Sequence, residues 1–161
     1  MTKKSVLTIQ QIIQSENDFI SKYSLEKILN IAGKKISEFL FTYFKNKKIL
    51  FVCGKGNNGN DGKYASRFLI KKMQIFIYQI SKQKDEDLKK LEKKIKNVDI
   101  IVDCIFGIGL NRKITGKFSK IIDLINKSKK KIVSVDIPSG INGDSGKIYS
   151  KVIKSSITVA M

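Results

Sequence analysis

Five consecutive apolar residues, Ile49-Leu50-Phe51-Val52-Cys53, run straight into the polar, glycine-rich stretch Gly54 to Gly62 (GKGNNGNDG). The run is the pattern of a strand buried on both faces, as in a parallel sheet. Beyond the glycines, Tyr64, Ala65, Phe68 and Leu69 recur at helical spacing. The unit therefore reads strand, glycine loop, helix. Such a unit aims the free N–H groups of a helix start at whatever sits above the strand's end. Its glycines allow close backbone approach and positive φ. A plain connection of this kind takes about 2–6 residues. The excess length of Gly54–Gly62, with three Asn and an Asp in its second half, favours function over a mere turn.

The rest of the chain repeats the alternation. Ile9, Ile12, Ile13 and Phe19 give a modest helical pattern up to about residue 20. Ser24 is an N-cap candidate, and Leu25, Ile28, Leu29, Ala32, Ile36, Phe39, Leu40 and Tyr43 then follow a 3.6 period. Gly33 interrupts that helix and predicts a close packing contact. Strands are expected at Ile75–Ile80, Asp99–Phe106, Ile132–Val135 and Ser156–Ala160, with helices at Lys82–Lys96 and about Phe118–Ser128. This is an α/β chain with a mainly parallel sheet, and 161 residues suit one domain.

Three loops, Gly54–Gly62, Asp103–Arg112 and Asp136–Gly143, follow strands at their carboxyl ends, where ligands bind in open α/β sheets. Strand order 2-1-3-4-5 makes their strands neighbours; order 3-2-1-4-5 would separate them.

Composition narrows the chemistry. The net charge is +18, but the only arginines are Arg67 and Arg112, and the lysines are spread everywhere. Specific nucleic-acid sites use Arg forks and aromatic stacking as well. There is no His, which removes imidazole bases and ligands. Cys53 and Cys104 lie in expected strands without metal-type spacing and read as reduced core residues of a cytoplasmic protein. No run of about 20 apolar residues is present. The start of the chain lacks a signal-peptide pattern.

Gly54-Lys55-Gly56-Asn57-Asn58-Gly59 satisfies G-x-G-x-x-G, but Tyr78-Gln79-Ile80-Ser81 offers no acid for a ribose, so a redox nicotinamide site is disfavoured. No Gly-Lys-Ser/Thr appears, so it is not a Walker loop. Asp103 lies inside an apolar run, where a carboxylate is paired with a lysine or binds a cation. Asp136 ends an apolar strand before Pro138-Ser139-Gly140 and is either a turn cap or a site residue. Asn58, Asp103 and Ser139 together offer carbonyl, carboxylate and hydroxyl oxygens to one hard cation, and a single carboxylate suits K⁺.

The NNGND core, the segment Val102 to Leu110 (VDCIFGIGL) and Ser134 to Gly140 (SVDIPSG) together resemble the YjeF N-terminal domain family. Ile20 to Gly33, with its LEKILNIAG, is similar to the family's first helix. Members are NAD(P)H-hydrate epimerases. The resemblance implies a Rossmann-like three-layer fold over a single domain, residues 1–161. Residues 1 to about 20 would be a helical extension, the sheet would be shortened at its C-terminal end, and no dehydratase domain would be expected in this chain. It implies interconversion of the R and S forms of NADHX or NADPHX, whose nicotinamide ring carries an added water, ahead of a separate dehydratase. Asn57, Asn58, Gly59, Asn60 and Asp61 would hold the substrate's phosphates and sugar. Gly107, Ile108, Gly109, Leu110, Asn111, Arg112 and Lys113 would line its pocket. Asp136 would be the acid/base at the nicotinamide end, and Asn58, Asp103 and Ser139 would bind one K⁺ per subunit of a homodimer. Asn60 stands where the family usually has Gly. The alternative is a non-catalytic dimerising or RNA-associated scaffold of the same fold, or a truncated, decayed enzyme.

Overall fold

A computed structural model describes residues 7–80, 86–148 and 150–160. Five α-helices and five strands follow in the order α1 (Ile9–Lys22), α2 (Leu25–Phe44), β1 (Ile49–Cys53), α3 (Asn57–Leu69), β2 (Ile75–Gln79), α4 (Glu86–Lys96), β3 (Ile100–Cys104), α5 (Gly116–Lys127), β4 (Lys131–Val135) and β5 (Ile157–Val159). The strands form one sheet, β2-β1-β3-β4-β5, and all four pairings are parallel. This is the order expected from the three loops. β1 has the expected ends, and the ends of the other strands differ from the expected ones by at most two residues. Residues 82–85 of the expected fourth helix, and 1–6 of the N-terminal segment, lie outside the described residues.

Alternation along the strands divides the core in two. Leu50, Val52 and Ile101 pack with Leu91, Ile95, Ile121, Ile122 and Ile125 of α4 and α5. Ile49, Phe51, Cys53, Val102 and Val133 pack with Ile36, Leu40, Ala65 and Leu69 of α2 and α3. Every residue of β1 and β3 is buried, because these strands have neighbours on both edges and helices on both faces. Cys53 and Cys104 face each other across the β1–β3 pairing as buried free thiols.

Helix starts follow from their caps. The Ser24 hydroxyl accepts from the Lys27 N–H at 3.1 Å and opens α2. Thr8 and Gln11 form a capping box that opens α1. Gly33 lies where α2 crosses α3, and a Cβ there would stand 2.6 Å from the Tyr64 Cβ. The internal glycine thus marks the contact its position suggested. Among the described residues, no helix is long and apolar enough to cross a membrane.

Candidate functional site

The carboxyl ends of β1, β3 and β4 meet at one rim of the sheet. There the structure corrects the reading of Gly54–Gly62. Only Gly54, Lys55 and Gly56 connect β1 to α3, and Asn57 to Gly62 form its opening turns. The connection has ordinary length, so excess length is no argument for function. Asn and Gly are poor helix formers, and packing overrides that preference. A Cβ on Gly54 would overlap the Ile105 carbonyl oxygen, and one on Gly59 would overlap the Gly54 carbonyl oxygen. A Cβ on Gly62 would lie 2.6 Å from the Cys104 Sγ. None of these three glycines has positive φ; closeness, not left-handed backbone, requires them. Asn60 is helical too, and its side-chain oxygen accepts from the Lys63 ammonium at 3.3 Å.

Gly56, the N-cap of α3, gives no side-chain hydrogen bond. The N–H groups of Asn57, Asn58 and Gly59 have no acceptor among the described residues. They form a positive helix end suited to an anion. Lys55, Arg112 and Lys117 line the same cavity, whose volume is 1290 Å³. Ligand pockets usually hold about 300–1,000 Å³, so this one has room for a dinucleotide.

Asp136 follows β4 with φ of 70°, a left-handed conformation that the sequence reading missed. Its N–H donates to the Val159 carbonyl at 2.8 Å. The strained backbone turns its side chain toward the β3 loop, where Oδ2 accepts from the Ile108 N–H at 2.7 Å. A side chain at Gly107 would overlap that same oxygen, so glycine is needed there. Burial pushes the Asp136 pKa up, and the Ile108 N–H opposes the rise. Oδ1 has no protein donor among the described residues.

Asp103 is fully buried on β3. Among the described residues no lysine pairs with it. Its Oδ1 accepts from the Ser139 hydroxyl at 2.6 Å and the Ile105 N–H at 3.2 Å. Its Oδ2 accepts from the Ser134 hydroxyl at 2.8 Å and the Ser139 N–H at 2.9 Å. Burial nevertheless outweighs these donors and raises its pKa. Asn58, only 7% exposed, donates its amide to the Val135 carbonyl at 3.3 Å. Its Oδ1 is buried without any partner. No direct hydrogen bond joins Asn58 to Asp103 or Ser139.

The cavity wall contains Asn57, Asn58, Asp61, Gly107 to Arg112 and Asp136. Gly59, Asn60 and Lys113, expected there, are not on it: Gly59 packs inward against Gly54, and Lys113 is exposed. Asp103 and Ser139 lie fully buried, off the wall. Glu16 of α1 is on the wall, and the sequence reading did not single it out.

Asp61 is raised from 3.8 to about 7, first by burial and then by Glu16 and Asp136. Between these values the folded protein holds a proton that the unfolded chain has lost, so stability falls as pH rises from about 4 to about 7 and then levels. Each unit is worth about 1.4 kcal/mol, less where solvent screens. Asp61→Asn is expected to stabilise the ligand-free protein by roughly 1–3 kcal/mol above pH 7, with little gain near pH 4. Denaturant unfolding of both proteins at pH 4, 6 and 8 measures it; a gain independent of pH contradicts the assignment.

The family described as YjeF-related protein N-terminus matches residues 25–90 and 77–161. The chain belongs to this family. It is 35% identical to the bifunctional NAD(P)H-hydrate repair enzyme Nnr of Dictyoglomus turgidum, over 97% of this chain and 35% of that protein. It is 38% identical to the NAD(P)H-hydrate epimerase of Oenococcus oeni, over 73% of this chain and 64% of that one. The chain thus spans a third to two thirds of the length of these relatives. The crystal structure of yeast YNL200c superposes with a TM-score of 0.80 at 21% identity, over 97% of this chain and 79% of that one, which shows the shared fold.

Proposed function

We propose that this YjeF-family chain epimerises hydrated NADH or NADPH, converting the R form of NADHX or NADPHX to the S form used by a dehydratase. The observation that carries the reading is Asp136. A half-buried carboxyl with a free Oδ1 faces a dinucleotide-sized cavity, and a bare helix N-terminus shares that cavity. Relatives bearing the epimerase name supply the substrate class.

The α3 N-terminus, with Lys55 and Arg112, holds the pyrophosphate. Asp136 Oδ1 meets the C6 hydroxyl. Ring opening needs the hydroxyl proton to go to Asp136 while its electrons form the C6 carbonyl and the C6–N1 pair goes to N1. Closure on the other face of C6 returns the proton. Loss and return of the hydroxyl runs the proton the other way: the protonated carboxyl donates to the departing hydroxyl, which leaves as water, and the carboxylate takes the proton back when water adds to the other face of C6. A carboxyl with a raised pKa suits both directions at neutral pH. The Ile108 N–H fixes the carboxylate's orientation throughout.

The residues also fit a K⁺ ion, because the buried Asn58 Oδ1 has no donor and Asp103 supplies one negative charge. We propose Asn58, Asp103 and Ser139 as the residues that would hold it; bound, the ion would supply fixed positive charge to the site. Adding K⁺ to about 100 mM, against the same concentration of Na⁺, is expected to raise the melting temperature by a few degrees, and Asn58→Ala to abolish the difference. No K⁺-specific shift contradicts the ion site.

The activity test supplies R-NADHX, an S-specific dehydratase and ATP, and follows NADH recovery. Recovery faster than spontaneous epimerisation is the expected result. Recovery at the background rate, from a folded chain, refutes the reading.

A further inference from the structure

We propose that Glu16 is a specificity-determining residue of this site: carried across the cavity by α1, it accepts a hydrogen bond from the uncharged, hydrated-nicotinamide end of the substrate. The inference rests on the epimerase reading for its ligand.

The first observation is a pattern on α1. Ile9, Ile12, Glu16, Phe19 and Ile20 are its half-buried positions, and its other residues are exposed. These five positions form one inward stripe at helical spacing. Glu16 is the one charged side chain on it. A carboxylate there weakens the helix as an apolar cover. No described residue forms a hydrogen bond or ion pair with it, and it faces the cavity.

The second observation is what it faces. Glu16, Asp61 and Asp136 line one cavity from three separate elements. Burial and Asp136 raise the pKa of Glu16, and Glu16 in turn raises that of Asp61. Asn58, whose Oδ1 is buried without a partner, also borders the cavity. The wall around Glu16 therefore carries three carboxyl groups. Phosphates are repelled from it. A neutral group bearing N–H and O–H donors completes it, and the hydrated ring offers a hydroxyl and a carboxamide. The anionic part of the dinucleotide is left to the α3 N-terminus, Lys55 and Arg112.

The third observation is that α1 is tied down at its start. The Ile9 N–H donates to Asp144 Oδ1 at 3.0 Å, and the Ile9 side chain covers Gly143. The helix thus runs from the loop after β4 to the start of α2 and holds Glu16 over the cavity.

The test measures, by calorimetry, the affinity of wild type, Glu16→Ala and Glu16→Gln for an equilibrated mixture of NADHX epimers and for ADP-ribose, which lacks the ring. Expected is a loss of about tenfold or more for NADHX in Glu16→Ala, with ADP-ribose unchanged, and recovery to within about threefold in Glu16→Gln, whose oxygen still accepts. Equal binding of NADHX by wild type and Glu16→Ala overturns the proposal. So does an equal loss for both ligands, which makes α1 a structural cover only. Selective loss of NADHX binding in a wild-type background that does not epimerise sustains Glu16 and refutes the activity. Epimerisation unaffected by Glu16→Ala does the reverse. Binding of neither ligand by the wild type refutes both.

Discussion

Asp136→Asn is expected to lower the epimerisation rate by roughly 10²- to 10⁴-fold while leaving the protein folded, the range ascribed to one positioned acid/base. The variant isolates chemistry from structure for two reasons found at this residue. Asn is among the few side chains that tolerate left-handed backbone, so φ of 70° is kept. Its amide oxygen still accepts from the Ile108 N–H, so the β3 loop stays in place. What is lost is the capacity to take a proton. The drop therefore belongs in kcat, with KM nearly unchanged. Asp136→Ala fails on both counts, because it removes the acceptor and leaves a Cβ residue strained. An Asn variant with wild-type turnover removes Asp136 from the chemistry.

Asp103→Ala is the variant with the largest expected effect on stability. Four donors converge on this carboxylate: the Ser134 hydroxyl, the Ser139 hydroxyl, and the N–H groups of Ser139 and Ile105. Alanine leaves several of them buried without a partner, each costing about 1–3 kcal/mol. A total loss of roughly 3–5 kcal/mol follows, since hydroxyls can turn toward other acceptors such as the Phe106 carbonyl, already 3.1 Å from the Ser139 Oγ. That is a large part of the stability of a domain this size. Thermal melting should drop by about 10 °C or more. A shift of under about 2 °C shows that the cluster is not holding β3, β4 and the Ser139 turn together.

Much of this was legible in the chain. The apolar run Ile49–Cys53 marked a strand covered on both faces, and the need for three loops to share a ligand chose the order β2-β1-β3-β4-β5. Gly33 announced a close contact on α2 without naming its partner, which the structure shows to be α3. The misses have physical causes. Asn57 to Gly62 look like a loop because their preferences are local, whereas the packing around them comes in part from Cys104 and Ile105 at the end of β3, distant in sequence. Asp103 read as an ion-pair partner or a cation ligand, and its hydroxyl and backbone donors from Ser134 and Ser139 were not foreseen, because they become neighbours only through the β3–β4 register. The left-handed backbone of Asp136 has only a weak sequence signal, since Asp adopts it more readily than most residues but seldom does. Glu16 did have one: a charge at a position of the apolar stripe of α1, visible once the helix face is known.

The stacking of Gly59 on Gly54, and of Gly54 on the Ile105 carbonyl, bears on how this site can drift under mutation. Most sites are tuned by degrees, one methylene at a time. Here the shape is made by missing atoms, and every single-base change that replaces a glycine codon with another amino acid adds at least a Cβ. No gradual path leads away from this corner, so inherited variation in substrate preference has to accumulate elsewhere. The wall from Ile108 to Arg112 and the inward stripe of α1 are the places with room for it.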